Sequence, residues 1–231
     1  MTMLRAIIFD MDGVICDSEP LHMKAFQQVL AEETVHITDQ EYYDRYLAHD
    51  DRGSFEAAFR EHSRAEPDMQ KMKSLLARKA RRFDEYMKDG LVIYPGVDAF
   101  IKKAGVKYSL ALASGARRLE VEFVLKKARL RDLFTAVVSA DEVKDGKPQP
   151  ESFERAVEIL NRMRLDGTPE ILPADTLVIE DSPRCITTAK KLGMKTVGMA
   201  TSYKADELKE ADLVIESLVG LDLGTLEKLF G

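Results

Sequence analysis

The chain of 231 residues has no tryptophan, and nowhere an apolar run approaching the ~18 residues that a membrane-spanning helix requires. No membrane partner is therefore expected. Its two cysteines, Cys16 and Cys185, cannot build a disulfide framework and suit a reducing compartment; both read as small apolar packing residues. An excess of basic charge is missing too: 34 Lys and Arg stand against 40 Asp and Glu, a formal net charge of -6. That balance argues against nucleic acid as a partner, and the local cluster Arg78-Lys79-Ala80-Arg81-Arg82 reads as a solvated helix face. There is no internal repeat, no low-complexity segment and no Gly-x-Gly-x-x-Gly after the first strand, which disfavours a nucleotide cofactor. Met1-Thr2-Met3-Leu4-Arg5 runs directly into an apolar segment, so no signal peptide is expected and the expected location is cytoplasmic.

What the chain does have is 45% hydrophobic and 32% charged residues, the make-up of a soluble globular protein long enough for one core plus a small accessory domain. Its first feature is Ala6-Ile7-Ile8-Phe9, a buried-strand run that stops on Asp10 and Asp12. Side chains two apart on a strand point to one face, so an extended strand end would aim both carboxylates into one space. Like charges ~4 Å apart repel by about 4 kcal/mol at an effective dielectric near 20, which a divalent cation or a shared proton would relieve. Gly13 then permits a sharp turn, and Asp17, Ser18 and Pro20 make a helix start.

Beyond that turn the texture is helical, with apolar spacing over Glu19–Ala31, Glu41–Leu47, Asp51–His62 and Pro67–Met87. After Gly90 it alternates. Strands are expected at Lys107–Ala113, Phe134–Ser139, Thr176–Glu180, Thr196–Met199 and Asp212–Glu216. Helices are expected between them at Arg117–Ala128, Glu151–Arg162 and Pro183–Leu192. Strands alternating with helices predict an α/β fold with a doubly wound parallel sheet, here interrupted by an all-helical insertion. The expected domains are an α/β core of residues 1–15 and 92–231 and a helical domain of residues 16–91, with crossings near Ile15–Asp17 and Asp89–Ile93 that would form a hinge.

Ligands of open parallel sheets bind outside the carboxyl ends of the strands. Those ends carry Asp10 and Asp12, Ser114-Gly115, Asp141 to Lys147, and Glu180-Asp181-Ser182. Several carboxylates together with hydroxyls and lysine suit a phosphate ester handled with Mg²⁺, which prefers oxygen ligands and binds through few carboxylates plus substrate phosphate.

Asp-x-Asp-Gly-Val, Leu-Ala-Ser-Gly, Gly-Lys-Pro and Ile-Glu-Asp-Ser, in this order with a helical insertion after the first, resemble the haloacid dehalogenase superfamily, in its β-phosphoglucomutase and phosphatase branch. The resemblance spans essentially the whole chain. It implies that Asp10 attacks phosphorus, that Asp12 acts as acid and base, and that Ser114 and Lys147 hold the phosphoryl oxygens. It implies Mg²⁺ on Asp10, the Asp12 main-chain carbonyl and Asp181, with Glu180 in the metal shell. The insertion would be a cap that excludes water and selects a small phosphorylated metabolite, a sugar phosphate first among them. His22, Arg52 and Lys79 in that cap, and Gly115 and Ala116 in the core, match substrate-facing positions. Lys79 interrupts an apolar stripe and is expected to snorkel out or to point into a cavity, while Arg52 puts a positive charge at a helix start, where it is unfavourable.

The chain departs from the mutase pattern in two places. It has Tyr46-Leu47-Ala48-His49 where a Lys-Gly pair would follow Tyr-Leu, and Gly115-Ala116-Arg117 where a second Ser and a Lys would follow Ser114. A phosphatase is therefore the first reading, a β-phosphoglucomutase the second, and a non-enzymatic phosphoacceptor module of receiver type a distant third. A monomer is the default, since a cap must move freely.

Overall fold

In the computed structural model, which describes residues 2–62 and 65–231, the chain divides into two compact units. One comprises Met1–Asp17 and Val92–Gly231, the other Ser18–Leu91.

The first unit opens with β1 (Ala6–Phe9) and a short β2 (Cys16–Asp17). The second holds α1 (Glu19–Glu32), α2 (Asp39–Glu41), α3 (Asp51–Glu61) and α4 (Met69–Gly90). The chain then returns through β3 (Val92–Ile93), α5 (Val97–Gly105), β4 (Ser109–Ala113), α6 (Arg118–Ala128), β5 (Ala136–Val138) and α7 (Glu151–Met163). It closes with β6 (Thr176–Glu180), α8 (Pro183–Lys191), β7 (Lys195–Met199), β8 (Leu213–Ile215) and a terminal turn of helix, α9 (Leu223–Glu227). β2 and β3 pair antiparallel as a separate two-residue ribbon, and neither this pairing nor α9 was visible in the apolar pattern.

The six-stranded sheet runs β5-β4-β1-β6-β7-β8, and every adjacent pair is parallel. β1 is central and buried on both faces, which is why its sequence is uninterruptedly apolar. Ala6 and Ile8 point to one side, against Phe153, Ala156 and Leu160 of α7 and Ala189 of α8. Phe9 points to the other, with its ring edge-on to Phe100 of α5 at 6.2 Å and to Phe134 at 5.9 Å. From β1 the chain builds outward through β4 and β5, then returns across to β6 on the opposite side. The switch point of the sheet therefore lies between β1 and β6.

The helical unit has its own core, where Phe26, Val29 and Leu30 of α1 meet Tyr46, Phe55 of α3 and Met72 of α4. The segment expected as the helix Glu41–Leu47 is instead the short α2 followed by a π-helical turn, Tyr42–Tyr46. There the Leu47 N–H donates to the Tyr42 carbonyl five residues back, and the wider turn buries both Tyr42 and Tyr46. α4 starts two residues later than expected, because Asp68 caps it by accepting from the Lys71 N–H at 2.7 Å.

Candidate active site

Parallel register places the strand ends side by side. Phe9 of β1 lies opposite Leu112 of β4 and Ile179 of β6, so Asp10 leaves the sheet flanked by the Ala113-Ser114 end and by Glu180. The Asp10 N–H donates to the Ile179 carbonyl at 3.0 Å, prolonging the ladder by one residue and fixing the aspartate where the chain turns. The turn is tight because the Met11 carbonyl collects the N–H groups of Ile15 at 2.8 Å and Cys16 at 3.1 Å. Asp12 lies within that turn, half-buried, bridged to Cys16 and close enough for its charge to disfavour ionisation of Asp10.

Lys147 joins β1 to β6. Its Nζ donates to Asp10 Oδ1 at 2.7 Å and Glu180 Oε1 at 2.6 Å, and it stands 5.0 Å from the centre of the Phe153 ring. The loop presenting it is anchored on both sides. Glu151 of α7 accepts from the N–H groups of Lys144 and Asp145, and Thr188 of α8 donates to the Pro148 carbonyl at 2.7 Å. The second oxygen of Glu180 accepts from the Ser182 N–H at 3.0 Å, so each of its oxygens accepts a hydrogen bond. Ser114 is buried, and its Oγ accepts from the Ala116 N–H at 3.0 Å; Gly115 between them is exposed.

The electrostatics are those of a site short of positive charge. Oxygens of Asp10, Glu180 and Asp181, all buried, lie within 4.8 Å of one another, and the Lys147 ammonium pairs with two of these three carboxylates, Asp10 and Glu180. Burial pushes Asp10 up to about 7 despite the opposing pull of Lys147, with Glu180 and Asp12 adding to the rise. Burial, together with Glu180 and Asp10, also holds Asp181 well above the usual carboxylate range. Burial alone would lower the Lys147 ammonium, but Asp10 and Glu180 outweigh it and raise it, so the lysine stays charged. A hard divalent ion fits such a set, since it supplies the missing charge and takes carboxylate oxygens by preference.

Gly13 is needed beyond its turn. It holds φ +76°, and a Cβ there would stand 2.0 Å from Asp181 Oδ2. Gly13→Ala is expected to cost about 1–2 kcal/mol in backbone strain and to push the Asp181 carboxylate aside. Urea unfolding and Mg²⁺ titration of that variant should show both losses, and unchanged metal binding would refute the second.

The three cap residues lie in the helical unit. Lys79 does not snorkel out to solvent. Its side chain is 4% exposed, and its Nζ meets Asp51 Oδ1 at 2.5 Å and His22 Nδ1 at 2.7 Å. The His22 ring stacks on Phe83 with centroids 3.8 Å apart. Arg52 stays apart from this cluster, about half exposed, with Glu56 at 3.8 Å one helical turn on. Such an exposed pair is worth little in stability.

Reading strand ends found Asp10, Ser114, Lys147, Glu180 and Asp181, but missed Thr201 and Ser202 just past β7. Their signal was a pair of hydroxyls directly after an apolar strand, at the same edge of the sheet.

A family model for haloacid dehalogenase-like hydrolases matches residues 7–199. Over 222 residues the chain is 29% identical to protein CbbY of Rhodobacter capsulatus, covering 93% of this chain and 94% of that protein. It is 28% identical over 195 residues to a phosphorylated carbohydrates phosphatase of Thermotoga maritima, covering 84% of each. A crystal structure of β-phosphoglucomutase from Clostridium difficile superimposes with a TM-score of 0.81 at 21% identity, over 99% of this chain and 97% of that one, and shares its fold.

Proposed function

The chain belongs to the haloacid dehalogenase-like hydrolases, and from that membership we propose that it is a Mg²⁺-dependent phosphatase of a small phosphorylated metabolite, first of all a sugar phosphate. The observation that carries this reading is the buried cluster in which Lys147 bridges Asp10 and Glu180 beside Asp181. The names of two relatives of similar length, the phosphorylated carbohydrates phosphatase and the validoxylamine A 7'-phosphate phosphatase of Streptomyces hygroscopicus, point the same way.

Asp10 attacks phosphorus through a carboxylate oxygen, and the ester oxygen leaves with a proton from Asp12. Asp12, now ionised, takes a proton from water, whose oxygen attacks the acyl phosphate and frees Asp10. Splitting the transfer in this way lets one acid–base residue serve both halves. Lys147 and Ser114 hold the phosphoryl oxygens, and Lys147 offsets the repulsion between an anionic nucleophile and an anionic group in transfer. Asp10, the Asp12 carbonyl and Asp181 would hold Mg²⁺, which when bound supplies further positive charge to that group. Glu180 keeps Lys147 in place.

The helical unit contributes substrate recognition through His22 and Lys79. Lys79→Met is expected to lower kcat/KM by about ten- to a hundredfold, the loss of one charge-assisted contact. The melting temperature should not fall. The methionine joins an apolar stripe with Met72, Leu75 and Phe83, and Asp51, whose side chain is 49% exposed, is left to solvent. Equal kcat/KM would remove Lys79 from substrate recognition.

The test of the function is to supply Mg²⁺, β-glucose 1-phosphate and a trace of glucose 1,6-bisphosphate, and to follow inorganic phosphate and glucose 6-phosphate together. Phosphate with little isomer supports the phosphatase and directs a wider panel of sugar phosphates. Isomer forming well ahead of phosphate makes the protein a mutase instead.

A further inference from the structure

Two hydroxyls at the end of β7 take no part in the chemistry above. Thr201 Oγ1 lies 2.6 Å from the Gly13 carbonyl oxygen and 3.3 Å from that of Met199. A carbonyl only accepts, so the threonine donates its proton, along the shorter contact to Gly13, and the Tyr94 hydroxyl lies beside it. The Ser202 hydroxyl lies beside the Asp181 carboxylate, close enough to favour its ionised form. Ser202 and Asp181 both press on the face of Gly13 that a side chain would occupy, at 2.9 Å and 2.0 Å from the position of a Cβ. Tyr94 is fixed in turn, its N–H donating to the Ile15 carbonyl at 3.0 Å.

We infer that Thr201 and Ser202 are positioning residues for the Mg²⁺ ligand set: Ser202 orients the Asp181 carboxylate, and Thr201, backed by Tyr94, fixes the turn that carries the Asp12 carbonyl. The inference rests on the proposed reading that these oxygens hold Mg²⁺. Its physical basis is the narrow tolerance of that ion. Mg²⁺ demands near-octahedral geometry at about 2.0–2.1 Å, whereas a carboxylate turns about its own bond and glycine is the most permissive residue for the backbone. The Thr201 hydrogen bond on the turn and the Ser202 hydroxyl beside the carboxylate remove those freedoms before the ion arrives. Partners of this outer kind are typically worth ~10–100-fold in metal affinity.

The experiment measures Mn²⁺ binding by electron paramagnetic resonance, and Mg²⁺ binding by calorimetry, on the full chain and on Ser202→Ala, Thr201→Val, Thr201→Ser and Tyr94→Phe. Melting of each protein in EDTA serves as the control. Ser202→Ala and Thr201→Val should each weaken binding by about tenfold or more, with EDTA melting little changed. Thr201→Ser keeps the hydroxyl and should bind as the wild type, and Tyr94→Phe should fall between. Turnover at saturating Mg²⁺ should recover in both weakened variants, with only the half-activating metal concentration raised. Wild-type affinity in both Ser202→Ala and Thr201→Val would overturn the inference and leave the Mg²⁺ reading standing. No saturable binding by the wild type would overturn that reading, and the inference with it.

Discussion

Asp10→Asn is expected to cut phosphate release by roughly 10⁴- to 10⁶-fold while leaving the protein at least as stable as the wild type. The two halves of this result have one cause. Asparagine fills the same volume but cannot form an acyl phosphate, so the covalent route closes. The carboxylate it replaces is a cost to the metal-free fold, since burial pushes Asp10 up to about 7 from its ordinary 3.8. Between those values the folded protein holds a proton on Asp10 that the unfolded chain has lost. Stability contributed by this group is therefore present below the unfolded value and declines as pH rises through the folded one. Asparagine does not titrate. In EDTA, the melting temperature of Asp10→Asn relative to wild type should rise as pH goes from ~4 to ~7 and then level off. Retained turnover would remove Asp10 as nucleophile, and a gap independent of pH would remove the desolvated carboxylate.

The parts of the molecule that were legible in the sequence are those that depend on strand ends. An apolar run of four or five residues ending on Asp10, Ser114 or Glu180 fixes both the buried strand and the residue that leaves it. Parallel register then brings those residues together however far apart they are in the chain. Lys147 was legible as the far end of the Asp141 to Lys147 stretch after a strand, but not its aim at Asp10, because it sits in a loop whose course is set by Glu151 and Thr188 on two different helices. The partner of Lys79 was not legible. The spacing placed a lysine in an apolar stripe, but Asp51 reaches it only once α3 and α4 have packed. Thr201 and Ser202 were hidden for another reason: hydroxyls after a strand are ordinary turn residues, and only their contacts with Gly13 and Asp181 distinguish them. The π-turn at Tyr42–Tyr46 was hidden because its apolar spacing also suits an α-helix.

Lys147→Met should have the largest effect on stability of any substitution in the site, about 3–5 kcal/mol in EDTA at neutral pH. Methionine matches the lysine stem in volume and keeps its contact with Phe153, so the loss is one of charge and not of packing. At wild-type positions, Asp10 Oδ1 and Glu180 Oε1 each have the ammonium within 2.7 Å, and without it they stay buried with no counter-ion. Leaving a buried charge uncompensated is far costlier than losing the whole pair, so Lys147→Met/Glu180→Gln should recover part of the stability and none of the activity. Acid should help as well. Asp10, left behind, has a folded value raised above its unfolded one, so the difference from wild type should shrink as pH falls toward the ordinary carboxylate range. Millimolar Mg²⁺ should restore stability to the single variant at neutral pH, because a divalent cation bound to Asp10 and Asp181 supplies the charge the lysine gave. Urea unfolding with and without Mg²⁺ reads all of this. A variant as stable as wild type in EDTA at neutral pH would mean that the site does not hold the charges assigned to it. Stability restored by Mg²⁺ with turnover still depressed by about 10²-fold or more would separate the two roles of Lys147, the structural counter-ion that a metal can replace and the donor to the transferring phosphoryl group that it cannot.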